Sequence, residues 1–286
     1  MSTLTIFGCS HSNNGPSPTY ADILEVDGFK VKNFAHPGRG NEYILAKLIQ
    51  YLRIADIMPI TDNDRQIIVQ LTYADRLGEI WNDEWDNIGP FYTKSKTKNY
   101  YNLHYHDEEI TQESQKKIRE KVTEEYMREK YTNIQYCIYS LFKLHNIRNF
   151  HIMAAEHQLP ERCFQLIPEL KQNYVNAYVG MNPNPKYKIN IIPADQNVDR
   201  IRFDRHMDID QHTFLAKKLN KRIRSNTLSE NTLKYLAEVE EFIANFPCIE
   251  TREQYKRCID EARLIKEKYL NNNKKPMKKL DPFIYE

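Results

Sequence analysis

Leu4-Thr5-Ile6-Phe7-Gly8-Cys9-Ser10-His11-Ser12 is the stretch on which the reading of this chain turns. A β-rich apolar run that ends in Gly-x-Ser reads as a strand feeding a sharp turn. In an open α/β sheet, ligands bind outside the carboxyl ends of the strands. Ser10 then stands at the mouth of the sheet, where a nucleophile is needed. On its own, a serine in this position is most often a turn residue. It becomes a nucleophile only if the chain also supplies a base and oxyanion donors.

The segments that follow set the fold class. Asn13-Asn14-Gly15-Pro16-Ser17-Pro18 is a loop, residues 20–26 read as a short helix, and Asp27-Gly28 is a turn. Phe29-Lys30-Val31-Lys32-Asn33 alternates as a strand. The loop Ala35-His36-Pro37-Gly38-Arg39-Gly40-Asn41 leads into a helix over residues 42–54, with Ile44, Leu45, Leu48, Ile49 and Leu52 on one face. Gln66-Ile67-Ile68-Val69-Gln70-Leu71 has the continuous apolar centre of a strand buried in a parallel sheet. Strand, helix, strand, helix, strand within roughly 70 residues argues a doubly wound α/β fold.

Residues 77–109 break this pattern with Trp81, Trp85, Phe91, Tyr92, Tyr100, Tyr101 and Tyr105 among Asn and Asp. A long irregular segment of this kind is a lid or the packing of an insertion. A helix is expected over residues 111–145, a strand over 150–154, a helix over 161–170 and a strand over 188–192. Asp199 and Asp204 lie in a loop that enters a helix over 210–224. Residues 227–270 read as a helical hairpin outside the α/β core, with Thr227-x-x-Glu230 and Thr251-x-x-Gln254 matching capping boxes. The expected organisation is an α/β domain over 1–226, with an insertion at about 77–148, then a hairpin and basic tail over 227–286.

Bulk properties narrow the function classes. The 286 residues are 41% hydrophobic and 28% charged, with a net charge of +2, so no strong field draws nucleic acid or an anionic membrane. No apolar run reaches the roughly 18 residues of a membrane span. The start of the chain lacks a basic segment followed by an apolar one, so a cytoplasmic protein is expected. The 5 cysteines are scattered, and neither a disulfide framework nor a zinc ribbon is suggested. No cofactor and no metal are expected. His11 and His36 lack the acid–histidine spacing of a metal site, and His104-Tyr105-His106-Asp107 reads as a solvated loop.

The second decisive motif is Asp204-Arg205-His206-Met207-Asp208-Ile209-Asp210-Gln211-His212-Thr213-Phe214-Leu215-Ala216. Serine needs an adjacent base to take its proton. A carboxylate on the other imidazole nitrogen fixes the tautomer and stabilises the imidazolium. An acid just before a histidine, entering an amphipathic helix, supplies both. Ser10, His206 and Asp204 would fill the three roles. His212, further along the helix, reads as structural. Cys9 is a weaker candidate nucleophile, because adjacent side chains point differently and no second base is evident.

With these blocks in view, the chain resembles the SGNH hydrolases, the GDSL-type esterases and lipases. Gly8-Cys9-Ser10 resembles their Gly-Asp-Ser block, with Cys9 in place of aspartate. Asn33-Phe34-Ala35-His36-Pro37-Gly38 resembles their Asn-x-x-x-x-Gly block, which implies the Gly38 amide as an oxyanion donor. Asp204 to Ala216 resembles the last block, which implies His206 as base and Asp204 as its partner. Gly-Cys-Ser and Pro37-Gly38-x-x-Asn41 are similar to divergent, phage-encoded members. The resemblance spans about residues 3–224 and implies a three-layer α/β/α, flavodoxin-like fold with a mainly parallel sheet.

One block departs. After the strand ending at Leu71 the family carries Gly-x-Asn-Asp, and here the chain reads Thr72-Tyr73-Ala74-Asp75-Arg76. Ala74 stands where an oxyanion donor belongs, and losing one donor costs on the order of 10²–10³ in rate. Asn41, Thr72 or Arg76 is the expected substitute; Asn41 at a helix start also suits a cap. The resemblance implies an esterase that cleaves or transfers an acyl group through an acyl-serine, on a small-molecule or carbohydrate ester. The alternative is a catalytically lapsed SGNH fold serving as a binding or assembly module, for which Ala74, Cys9 and the extra helices argue.

Overall fold

Apolar side chains alternate along the central strands, and the alternation divides the core in two. Leu4, Ile6, Ile68 and Met153 belong to one buried cluster, whereas Phe7, Ile67, Val69, Leu71, Phe150 and Ile152 belong to another. A period of two sends successive side chains to opposite faces of a sheet. Both faces are therefore covered, as a parallel sheet requires. The computed structural model describes residues 2–9, 12–13, 18–36, 39–57, 65–72, 77–81, 84–88, 123–154, 160–176, 207–245 and 252–271.

Five strands form the sheet: β1 (Thr3–Phe7), β2 (Lys30–Asn33), β3 (Arg65–Leu71), β6 (Phe150–Ala154) and β7 (Tyr174–Asn176). All pair in parallel, in the order β2-β1-β3-β6-β7. This is an α/β protein with a doubly wound strand order. The register sets Leu4 beside Val31 on one side and Gln66 on the other. β7 has only three residues, too few for a period, and gives no signal in the sequence. The strand expected over 188–192 lies outside the described residues.

β4 (Leu77–Trp81) and β5 (Glu84–Ile88) pair with each other, antiparallel, in a sheet of their own. This hairpin replaces the irregular segment expected from residue 77. The dense Trp, Asp and Asn content hides the alternation of these strands in the sequence. The remainder of that segment is outside the described residues.

Helices cover the two faces. α2 (Asn41–Ile57) and α3 (Glu124–Leu144) bury Ile44, Leu48, Leu52, Tyr131, Ile138 and Phe142 on the Phe7 face. α3 falls inside the stretch read as an insertion, yet it is a layer helix of the sheet. α4 (Pro160–Leu166) and α5 (Leu170–Asn173) follow β6 on the same side, where Cys163 and Leu170 join the cluster. The other face carries α1 (Tyr20–Val26) and α6 (Ile209–Arg224), and α7 (Glu230–Asn245) and α8 (Arg252–Asn271) pack against α1 and each other. None of the helices among the described residues is long and apolar enough to cross a membrane.

α7 and α8 do not sit outside the core. Leu228, Tyr235, Leu236, Val239, Ile243, Cys258 and Tyr269 lie in one cluster with Ile23, Leu24 and Leu219. Polar contacts pin the same seam. Asp27 Oδ1 accepts from Ser229 N at 2.7 Å and from Thr232 Oγ1 at 2.9 Å. Arg224 donates to the Asp27 and Gly28 carbonyls at 3.0 Å each. Gly28 has φ +87°, which makes glycine the suitable residue for this turn into β2. Lys266 Nζ lies 2.6 Å from both Asp22 Oδ1 and Glu25 Oε2 on α1. Burial pushes the Asp22 carboxyl up, but the Lys266 ammonium and the Thr19 donors outweigh it and hold it below its usual value. Ser229 caps α7, its hydroxyl accepting from Thr232 N at 3.2 Å, two residues past the expected Thr227. The Asp27 carboxylate draws Ser229 into that position, while the Thr227 carbonyl accepts from Asn220.

The shared cluster sets the first expected outcome. Full burial of a large apolar side chain stabilises by about 1.5–3 kcal/mol, and a whole domain is stable by only about 5–15 kcal/mol. A chain ending at Asn226 loses seven members of the cluster. It should show no cooperative transition in urea by near-ultraviolet circular dichroism, where the full chain shows one. A sharp transition in the shortened chain would make the helical hairpin dispensable.

A second outcome concerns acid. His151 on β6 is buried, and among the described residues neither of its ring nitrogens has a hydrogen-bond partner. Burial, with the Arg222 guanidinium adding to it, lowers its pKa to about 4. The unfolded chain binds this proton near pH 6.5, so the unfolded state holds more protons between pH 6.5 and 4. Stability then falls as pH drops through that window, by about 3 kcal/mol in all. His151→Leu should flatten this part of the stability–pH curve measured by denaturant melts; an unchanged slope would assign it to other groups.

Candidate functional site

The carboxyl edge of the sheet gathers the segments that follow β1, β2 and β3. The strand order makes this edge a switch point: β1 pairs with β2 on one side and β3 on the other. α1, which follows β1, and α2, which follows β2, lie on opposite faces. Chains leaving to opposite faces open a crevice at such a point.

The post-β1 and post-β2 segments are stitched together. Phe34 N donates to Ile6 O at 2.8 Å and His36 N to Gly8 O at 3.1 Å, which carries the parallel ladder past the end of β2. Asn33 Nδ2 donates to Ser12 O at 2.7 Å, and Asn33 Oδ1 accepts from Ala35 N at 3.0 Å. Asn13 Nδ2 returns a bond to Ala35 O at 3.0 Å. Ser12 N donates to Cys9 O at 3.0 Å, so the residues flanking Ser10-His11 are tied to each other. Cys9 itself is wholly buried, which suits a structural thiol better than a reactive one.

β3 is joined to the same edge through α2. Asn41 Oδ1 accepts from Thr72 N at 2.8 Å, and Asn41 Nδ2 donates to Thr72 O at 3.4 Å. Both residues are buried. Asn41, the first residue of α2, therefore clamps the main chain that leaves β3. Among the described residues, the buried Thr72 hydroxyl has no hydrogen-bond partner.

The start of α6 is tied in from the opposite face. Asp208 caps the helix, its Oδ1 accepting from Gln211 N at 2.9 Å, while Gln211 Oε1 accepts from Asp208 N at 3.0 Å. His212, wholly buried, accepts from Tyr20 N through Nδ1 at 3.2 Å. It thereby satisfies one of the orphan amides at the start of α1. The Tyr20 phenol lies 2.8 Å from Ser12 Oγ, and burial pushes its pKa well up, so it keeps its proton. His212, Tyr20 and Ser12 thus connect the first turn of α6 to the segment after β1. Nearer the solvent, the Tyr43 ring gathers Arg39 at 5.4 Å, Lys47 at 5.5 Å and the His36 ring at 5.9 Å.

Of the residues singled out from the sequence, Asn41 and Thr72 are brought together. Ser10, Gly38, Arg76, Asp204 and His206 lie outside the described residues, as do Ala74 and His11. His212 is structural, as its position on the helix suggests. Among the described residues, no group of His, Cys, Asp and Glu is placed to hold a metal ion. Sequence reasoning missed Ser12, Tyr20 and Gln70. The one available signal was Gln70, a polar residue inside an otherwise apolar strand. It also missed the Asp208-x-x-Gln211 box. No protein-family model matches the chain, and no curated protein matches it.

The Asn41 clamp gives a third expected outcome. Asn41→Ala removes the acceptor for the buried Thr72 amide, a change that costs about 1–3 kcal/mol. A urea melt of the variant should show this loss. A loss below roughly 0.5 kcal/mol, the usual scale of a neutral surface change, would mean that the clamp is idle.

Proposed function

We propose that this chain is a serine hydrolase of the SGNH type, which cleaves or transfers the acyl group of a small-molecule or carbohydrate ester. Ser10 is the nucleophile, His206 the base and Asp204 the carboxylate that orients it. The observation that carries this reading is the closure of Cys9 to Ser12 at the carboxyl end of β1, beside the switch point of the sheet. A nucleophile there faces the crevice in which open α/β sheets bind ligands. Two features support it. The strand order is the flavodoxin-like one that the resemblance implies. The helix following the Asp204–His206 motif begins at a cap whose first turn is bonded to α1, and α1 to Ser12.

In this mechanism Ser10 Oγ attacks the ester carbonyl carbon as His206 takes the hydroxyl proton. The carbonyl oxygen gains the negative charge, and the Ser10 and Gly38 amides donate to it. His206 returns the proton to the departing alcohol as the carbon–oxygen ester bond breaks. Water, or an acceptor alcohol, then attacks the acyl-serine by the same route and releases Ser10. Asn41 acts one step back, because its side chain holds the Thr72 main chain. Thr72 and Arg76 remain the candidates for the donor that Ala74 lacks.

The test is hydrolysis of a short activated ester by the parent, Ser10→Ala and His206→Ala proteins. Removing either residue should lower kcat on the order of 10⁴-fold or more, with cooperative unfolding retained. Equal rates in parent and Ser10→Ala would instead favour a binding or assembly module.

A further inference from the structure

Tyr43, in the first turn of α2, gathers two cations around one ring. The Arg39 guanidinium lies 5.4 Å from the ring centroid and the Lys47 ammonium 5.5 Å. The His36 ring meets the same ring edge-on at 5.9 Å. Like charges drawn to one place repel each other, and a cation–π contact at a partly exposed site returns little. Carboxylates would ordinarily offset the two charges. Among the described residues, none pairs with Arg39 or Lys47. The polar partner of Lys47 is the neutral Gln50 side chain, at 3.1 Å. Glu42, the acid of the same helical turn, is turned toward α3, where Lys130 Nζ lies 2.6 Å from its Oε1.

Helix stability does not account for Arg39 either. It stands just before α2, and a cation at the amino end of a helix opposes the macrodipole, which favours cations at the carboxyl end. The place of the cluster supplies a different reason. His36 N donates to Gly8 O at 3.1 Å, and Arg39 N to His36 O at 3.4 Å. The cluster is therefore fastened where β2 and β1 end, at the carboxyl edge outside which open α/β sheets bind ligands.

We propose that Arg39 and Lys47, held on the Tyr43 ring, form a recognition site for the oxyanion group, phosphate or carboxylate, of a small molecule bound at this edge. Arginine supplies a planar fork that matches such a group, and lysine a compact point charge. The ring holds both long side chains in advance, so less freedom is lost when the anion arrives. The size of the site fits a small molecule. A nucleic acid is held by a patch or stripe of many cations, whereas here two cations stand on a chain with a net charge of only +2. The site is independent of the hydrolase reading: the anion binds whether or not an ester is cleaved.

The experiment titrates the isotopically labelled full-length protein with inorganic phosphate and, separately, with acetate, and follows the backbone amide resonances. Ionic strength is held constant with sodium chloride, so that general screening stays fixed. Saturable shifts are expected at His36, Arg39 and the first turn of α2, with a Kd on the order of millimolar for the preferred anion. Tighter binding of phosphate assigns the group as a phosphate, and the reverse order assigns a carboxylate. Arg39→Gln and Lys47→Gln should each weaken binding roughly 10-fold, the scale of one lost charge-assisted hydrogen bond. Both side chains are partly exposed, and if one variant fails to fold the other carries the test. No saturable shift with either anion, or parental affinity in the variants, overturns the proposal. A short single-stranded DNA that saturates the same amides while phosphate and acetate do not would also overturn it, and would reassign the surface to nucleic acid.

Discussion

β1 lies between two parallel partners, and the rest of the structure depends on that pairing. Its five residues are all buried, with Leu4 and Ile6 on one face and Phe7 on the other. A parallel partner on each side forces the chain to return by crossovers, one on each face. The two crossovers begin with α1 and α2, and the segments that follow β1, β2 and β3 are left at one edge. What stabilises β1 therefore also assembles the place where the sequence motifs meet.

The edge is held by polar contacts as well as by the Phe7, Phe34 and Tyr51 rings, and the polar contacts have an energetic consequence. Asn33 is joined to Ser12, and Asn41 to Thr72, through buried or half-buried hydrogen bonds. Each contributes about 0.5–1.5 kcal/mol net, but leaving a buried partner unsatisfied costs more. Among the described residues, the Gln70 amide nitrogen and the Thr72 hydroxyl have no hydrogen-bond partner. On the α1 face the design differs. There the apolar cluster is completed by α7 and α8, and the ions are confined to its rim. Lys266 with Asp22 and Glu25 is such a rim group, since each partner retains partial exposure. Its stabilisation is present above the usual carboxylate range and is lost as pH falls below about 4, because the Asp22 carboxyl is held down in the folded state.

Much of the fold was legible because long periodic segments declare themselves. The apolar runs at Leu4–Phe7 and Ile67–Leu71 identify β1 and β3, and the Ile44, Leu48, Leu52 face identifies α2. β7 was hidden by its length, and the β4–β5 pair by its tryptophans and acids. The place of α7 and α8 was hidden for another reason. An amphipathic stripe shows that a helix is covered, not what covers it, so Leu236 and Val239 give no hint that α1 is their partner. The site was legible as motifs but not as contacts. Asn41 was read as an oxyanion donor or a cap, and its reach to Thr72 depends on the β2–α2 connection, which no local pattern encodes. Ser12, two residues after the motif serine, carries no local signal, because its hydroxyl meets Gln70, 58 positions away.

The most direct measurement is a crystal structure of the protein after reaction with a small fluorophosphonate. Density continuous from Ser10 Oγ to phosphorus is the expected result, with a His206 ring nitrogen at hydrogen-bonding distance, about 3 Å, from the adduct. An adduct on Cys9 or on another hydroxyl, or a Ser10 that stays unmodified while the reagent is consumed elsewhere, would contradict the assignment of this edge as a serine hydrolase site.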